Sequence, residues 1–130
     1  MSRLVFSRHF RKITLYSGYD IVGSWNAHND VDRRSRGIWP NGKFSWLRYN
    51  AHREEGLFPA SYDLSYGGQG IHIFSVQGRE GLGVHAGRTF GQPGVLGRQT
   101  MGCVRVTTEA MRKINQTHAN DRLTEIEISP

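Results

Sequence analysis

Cysteine occurs once in the 130-residue chain, at Cys103. A lone thiol excludes an internal disulfide and a cysteine-rich zinc site, but it leaves the compartment open. No apolar run approaches the roughly 18–20 residues that cross a bilayer. The first residues, MSRLVFSRHFRK, lack the continuous apolar stretch and small-residue cleavage site of a secretory leader, and they read as a first strand. Internal repeats, low-complexity tracts and linkers are all missing. A chain of this length buries a core without cross-links, so one domain over residues 1–130 is expected.

What is present is positive charge and glycine. Lys and Arg number 17 against 11 Asp and Glu, a formal net charge of +6. The cations are scattered except at Arg33, Arg34 and Arg36, a group that suits either a solvated loop or a patch for phosphate or cell wall. Such a balance fits an anionic partner, and it equally fits simple solubility. The 16 glycines are spread along the chain and favour many turns over long helices.

The patterning predicts strands at Arg3–Phe6, Lys12–Tyr16 and Tyr19–Ala27, the last two joined at the Ser17-Gly18 turn. Asn29–Gly37 is a charged loop. The turn Trp39-Pro40-Asn41-Gly42 leads into a strand at Lys43–Tyr49, and His52–Gly56 is loop. Gly70–Val76 and Leu82–Ala86 flank Gln77-Gly78-Arg79-Glu80-Gly81 as a further hairpin. A helix is expected from Thr108 to Thr117, capped by Thr107 or Thr108. Glu109 would lie in its first turn, and Ala110, Met111, Ile114 and His118 would share a face. Leu123–Ile128 closes the chain as a strand with Ile126 and Ile128 inward. The sum is a mainly β fold, a sandwich or partial barrel, with one helix after Cys103. Trp25, Trp39 and Trp46 are assigned to core packing.

The stretch VHAGRTFGQPGVLGRQTMGCVRV, Val84 to Val106, carries the chemistry. A free thiol, with a pKa of about 8.5, is only slightly ionised at neutral pH, and an imidazole corrects this by taking the proton or pairing with the thiolate. His85 falls at the end of one predicted strand and Cys103 at the start of the next. Gly102 leaves room for a carbonyl beside the sulfur, and the amides of Gly102 and Cys103 suit an oxyanion. From these residues alone two other readings stay open. One is a buried structural thiol; the other is a Cys–His metal site with His72 or His118 added, for which no ligand spacing argues.

The order and spacing resemble the catalytic signature of the L,D-transpeptidases of the YkuD type: His85-Ala86-Gly87, a gap, then Thr100-Met101-Gly102-Cys103-Val104-Arg105. RKITLYSGYDIV (Arg11–Val22) is similar to the opening hairpin of that family, and GIWPNGKF (Gly37–Phe44) to its Pro-x-Gly-x-Phe element. The chain departs from the pattern at Ala86, which separates His from Gly, and at Met101, where the family often has histidine. The compact layout also resembles small L,D-transpeptidase-related effectors delivered by type VI secretion.

The resemblance implies a peptidoglycan-modifying enzyme without a cofactor, either a transpeptidase or a carboxypeptidase. Cys103 would attack the L,D bond of a stem peptide, and His85 would act as base and then acid. A backbone carbonyl would orient that histidine, and Gly102 would help form the oxyanion hole. Arg105 would brace the catalytic loop or hold a stem carboxylate, and Thr100 would hydrogen-bond within the loop. Tyr62, Tyr66 and His72 are candidates for the cleft. The implied partners are stem peptides and, for an effector, an immunity protein, with no nucleic acid. Action would fall in the periplasm or cell wall after export by a specialised route. The competing expectation is a non-catalytic basic module that binds cell wall or another anionic polymer.

Overall fold

The computed structural model describes residues 1–30, 37–51, 68–87 and 102–130. Among them lie strands β1 (Ser2–Ser7), β2 (Lys12–Ser17), β3 (Asp20–His28), β4 (Gly42–Asn50), β5 (Ile71–Phe74), β6 (Gly83–His85) and β7 (Val104–Val106). Helix α1 (Thr108–Asn120) and strand β8 (Leu123–Ser129) follow. The strands close into a barrel in the order β1-β2-β3-β7-β6-β5-β4-β8. Closure removes the exposed edges that an open sandwich would leave.

Local chemistry explains most of the elements. Gly18 takes φ 60 between Ser17 and Asp20, which pair across the β2–β3 hairpin. In β8 the alternation buries Leu123, Ile126 and Ile128 against Leu4 and Phe6 of β1, its parallel neighbour. Trp39 is fully buried between Phe44 and Phe74, at ring separations of 5.8 and 5.9 Å, while Trp25 and Trp46 pack partly buried against the core.

Helix α1 runs three residues past the expected Thr117, and the Asp121 amide closes it by donating to the Thr117 carbonyl at 2.7 Å. At its start Thr107 is the cap, its hydroxyl accepting from the Ala110 amide at 3.1 Å. Ala110, Met111 and Ile114 face the barrel core. Strand β3 also extends one residue beyond the expected Ala27, to His28.

The N-cap yields a stability prediction. Thr107→Ala leaves the Ala110 amide without its acceptor and should cost about 1 kcal/mol. Urea unfolding of the two proteins measures this as a lower midpoint at unchanged slope.

Candidate active site

The barrel wall at β3, β7 and β6 places the residues of interest through its register. Strands β6 and β7 run parallel, with Val84 opposite Val104 and His85 opposite Arg105. Strand β3 pairs antiparallel on the other side of β7, with Ala27 opposite Val106 and His28 opposite Arg105. Paired residues share a face and successive residues alternate. Ala27, Val84, Val104 and Val106 therefore point into the core, where each is at most 1 % exposed. Arg105, His85 and His28 are committed to the opposite face, while Cys103, just before β7, packs partly buried against the core cluster.

In a parallel pair, the end of one strand and the start of the next lie at opposite ends of the ladder. His85 and Cys103 still come close because each strand is three residues long. One strand spacing across and two residues along puts their Cα atoms about 8 Å apart, a span that the two side chains can cover. His85 is buried, and its Nδ1 lies 2.6 Å from the Ala86 carbonyl oxygen. A carbonyl only accepts, so Nδ1 is the protonated nitrogen and Nε2 the basic one.

Cys103 is partly buried, with its thiol directed to the Gly81 carbonyl at 3.7 Å. Burial pushes the Cys103 thiol up, against the lowering effects of the Gly83 amide and of the positive charges on Arg105 and Arg79. Arg105 is 2 % exposed and donates from Nη1 to the Gly87 carbonyl at 3.1 Å, tying β7 to the segment after His85.

Gly102 is required for a reason other than substrate approach. Its φ is +128, and a Cβ there would stand 2.6 Å from Arg79 Nη2 and 3.0 Å from Leu82 Cδ2. The Arg79 guanidinium also donates to the Gly37 carbonyl at 2.9 Å and the Ile38 carbonyl at 3.4 Å. Arg79, read from sequence only as a hairpin residue, thus joins the segment at Gly37 to the residue before Cys103. His28 was equally unforeseen, because its place beside Arg105 depends on a pairing between distant segments.

His72 lies on the other side of the wall. It pairs with Val84, so it points away from the face of His85. The Trp46 indole donates to its Nδ1 at 3.1 Å, which leaves Nε2 protonated and donating to Asn115 Oδ1 at 2.7 Å. The Asn115 amide in turn donates to the Gln69 carbonyl at 3.0 Å. With both ring nitrogens occupied, His72 links β4, β5 and α1 and has no nitrogen left for substrate or metal. His118, 5.1 Å from it ring to ring, accepts the Leu123 amide at 2.9 Å. Thr100, Met101, Tyr62, Tyr66, Arg33, Arg34 and Arg36 lie outside the described residues.

No protein-family model matches this sequence, and no curated protein matches it. Solved structures do. The helical cell shape determining protein Pgp2 from Campylobacter jejuni superposes with a TM-score of 0.67 at 12% identity, over 98% of this chain and 46% of that one. An L,D-transpeptidase (Yku) from Stackebrandtia nassauensis gives 0.60 at 9% identity, over 99% and 55%. The L,D-transpeptidase LdtMt1, in complex with imipenem, gives 0.57 at 15% identity, over 98% and 58%. The fold is that of the L,D-transpeptidase catalytic domain. The chain spans about half the length of these solved chains.

Two outcomes follow from this geometry. Burial and, less strongly, the charge of His118 lower the pKa of His72 to about 4 from an ordinary 6.5, and the Asn115 bond offsets them only in part. The unfolded chain therefore takes up the proton first as pH falls. The stabilisation is complete above 6.5 and is lost on the way down to about 4, by a few kcal/mol. His118, also lowered by burial, acts in the same direction. Urea unfolding across this window should show the loss, and His72→Gln should remove the larger part of the pH slope whatever its own stability. Separately, Gly102→Ala should destabilise by about 1–3 kcal/mol from its positive φ and the Arg79 contact. Adding Arg79→Ala should recover only the contact portion in the same unfolding measurement.

Proposed function

We propose that the chain is a peptidoglycan-modifying cysteine acyltransferase of the L,D-transpeptidase type, with Cys103 as nucleophile and His85 as base. The observation that carries this reading is the position of Cys103 just before β7, beside the β6 strand that ends in His85, with the His85 Nδ1 proton committed to the Ala86 carbonyl. A backbone carbonyl thereby does the orienting that an aspartate does in other triads.

The raised thiol pKa selects between two modes of activation. Burial favours the neutral thiol of Cys103 over a thiolate. His85 Nε2 therefore takes the proton as the sulfur attacks the stem-peptide carbonyl. The amides of Gly102 and Cys103 receive the developing oxyanion. The C–N bond to the departing D-residue breaks, and the imidazolium returns its proton to that amine. A thioester remains on Cys103. An acceptor amine converts it to a cross-link or an exchanged D-residue, and water converts it to a trimmed stem. Arg105, bonded to the Gly87 carbonyl, keeps the His85 segment in register with β7 during this cycle. Thr100 would hydrogen-bond within the loop, and Tyr66 would line the cleft. The site of action would be the cell wall, reached by a specialised export route if the chain is an effector.

Incubation with defined muropeptides tests the reading by mass spectrometry. The expected result is tetrapeptide trimming, cross-linking or D-amino-acid exchange, abolished in Cys103→Ala. Iodoacetamide should alkylate folded wild-type protein near neutral pH and react markedly more slowly with His85→Ala. Absence of any product, with Cys103 alkylated only on unfolding, would instead support a non-catalytic basic module.

A further inference from the structure

A second cleft, of about 400 Å³, opens where the β1–β2 turn meets the end of β3. Phe6 and Ile38 form its apolar part, and Arg8, Arg11, His28, Asn29 and Asp30 supply its polar lining. Two of its charges cancel, since Arg11 holds Asp30 through paired bonds of 3.1 and 3.0 Å. The same pairing keeps the Asp30 carboxyl below the usual carboxylate range.

Arg8 and Asn29 are different. Arg8 Nη1 reaches the neutral Asn41 side chain, and no carboxylate among the described residues stands against this guanidinium. Its Nε and Nη2 are shielded from solvent and lack an acceptor among the described residues. Asn29 is 6 % exposed, and its Nδ2 is in the same condition. Buried donors without acceptors are costly and rare, and three of them on two residues lining one cleft, one residue being cationic, fit a ligand that brings its own oxygens.

The cleft also adjoins the surroundings of Cys103 by two routes. His28 lies in the cross-strand row with Arg105 and His85. Ile38, on the rim, accepts from Arg79, whose guanidinium abuts Gly102. Two strand spacings separate His28 from His85, about 10 Å, which extended peptide covers in about three residues.

We infer that this cleft is a carboxylate-binding subsite, in which Arg8 and Asn29 Nδ2 donate to an acidic group of the ligand. Its assignment to a stem-peptide carboxylate, a few residues from the carbonyl at Cys103, rests on the function proposed above. The planar guanidinium offers a carboxylate paired donors, and the Asn29 amide adds a third from the β3 side.

The test separates the subsite from that function. Glutarate is titrated into labelled protein while the backbone amide resonance of residue 29 is followed by NMR. A saturable shift is expected, weakened about tenfold or more in Arg8→Gln and in Asn29→Asp, and largely retained in Arg8→Lys. Asn29→Asp keeps the size of the side chain and reverses its hydrogen-bonding sense, so it guards against a folding defect in the Arg8 variant. A muropeptide tetrapeptide should compete with glutarate, and its fully amidated form should not. Iodoacetamide alkylation of Cys103 should be unchanged in all three variants. If neither glutarate nor tetrapeptide moves the residue 29 resonance, or if both variants bind like wild type, the subsite is refuted. If glutarate binds with these variant effects and the tetrapeptide does not compete, the subsite stands and the peptidoglycan reading is the one that fails.

Discussion

The parallel pairing of β6 with β7 is the constraint on which the candidate site depends. Both strands are three residues long, too short to hold a register by themselves. Their core-facing residues hold it for them. Val84, Val104 and Val106 pack with Ala27 of β3 and Ala110 of α1 in one cluster. A slip of one residue would turn these valines outward and drive Arg105 into the core, so hydrophobic burial fixes the polar face indirectly. His85 and Arg105 gain their strand positions largely from the packing of the valines beside them.

That division into two faces also gives two of the buried histidines, His72 and His85, different chemistry. His72 sits on the core side with an indole donor on one nitrogen and an amide oxygen on the other, and desolvation holds it neutral. His85 sits one strand away with a backbone carbonyl on Nδ1, an arrangement that leaves Nε2 as a base. Residue type does not separate them. The parity of their positions in adjacent strands does.

Parity of this kind is hard to read from sequence. Ile71-His72-Ile73-Phe74 is buried at every position, so its pattern carries no alternation that would say which way His72 points. The elements set by local chemistry were legible: the Gly18 turn, the Thr107 cap, the alternation of β8 and the mainly β class with one helix. The pairing of His85 with Cys103 rests on a signature spacing in the sequence. The rest depended on contacts between distant segments. Neither the place of His28 beside Arg105 nor the approach of Arg79 to Gly102 is encoded within a window of neighbouring residues. Gly102 shows the limit most clearly. Its need for a missing side chain was visible, but the approach of the Arg79 guanidinium to that space was not.

Arg79 and Arg105 together bear on how the thiol is tuned. Both lower the pKa of Cys103, yet burial outweighs them and pushes the thiol up. A neutral thiol needs no counter-ion in desolvated surroundings. The two cations matter more once negative charge appears beside them, because a fixed positive charge in a dry site acts on developing charge with little reorganisation. Arg79 is held by the carbonyls of Gly37 and Ile38, and Arg105 by that of Gly87. At Cys103, burial therefore outweighs two nearby cations in setting the thiol pKa.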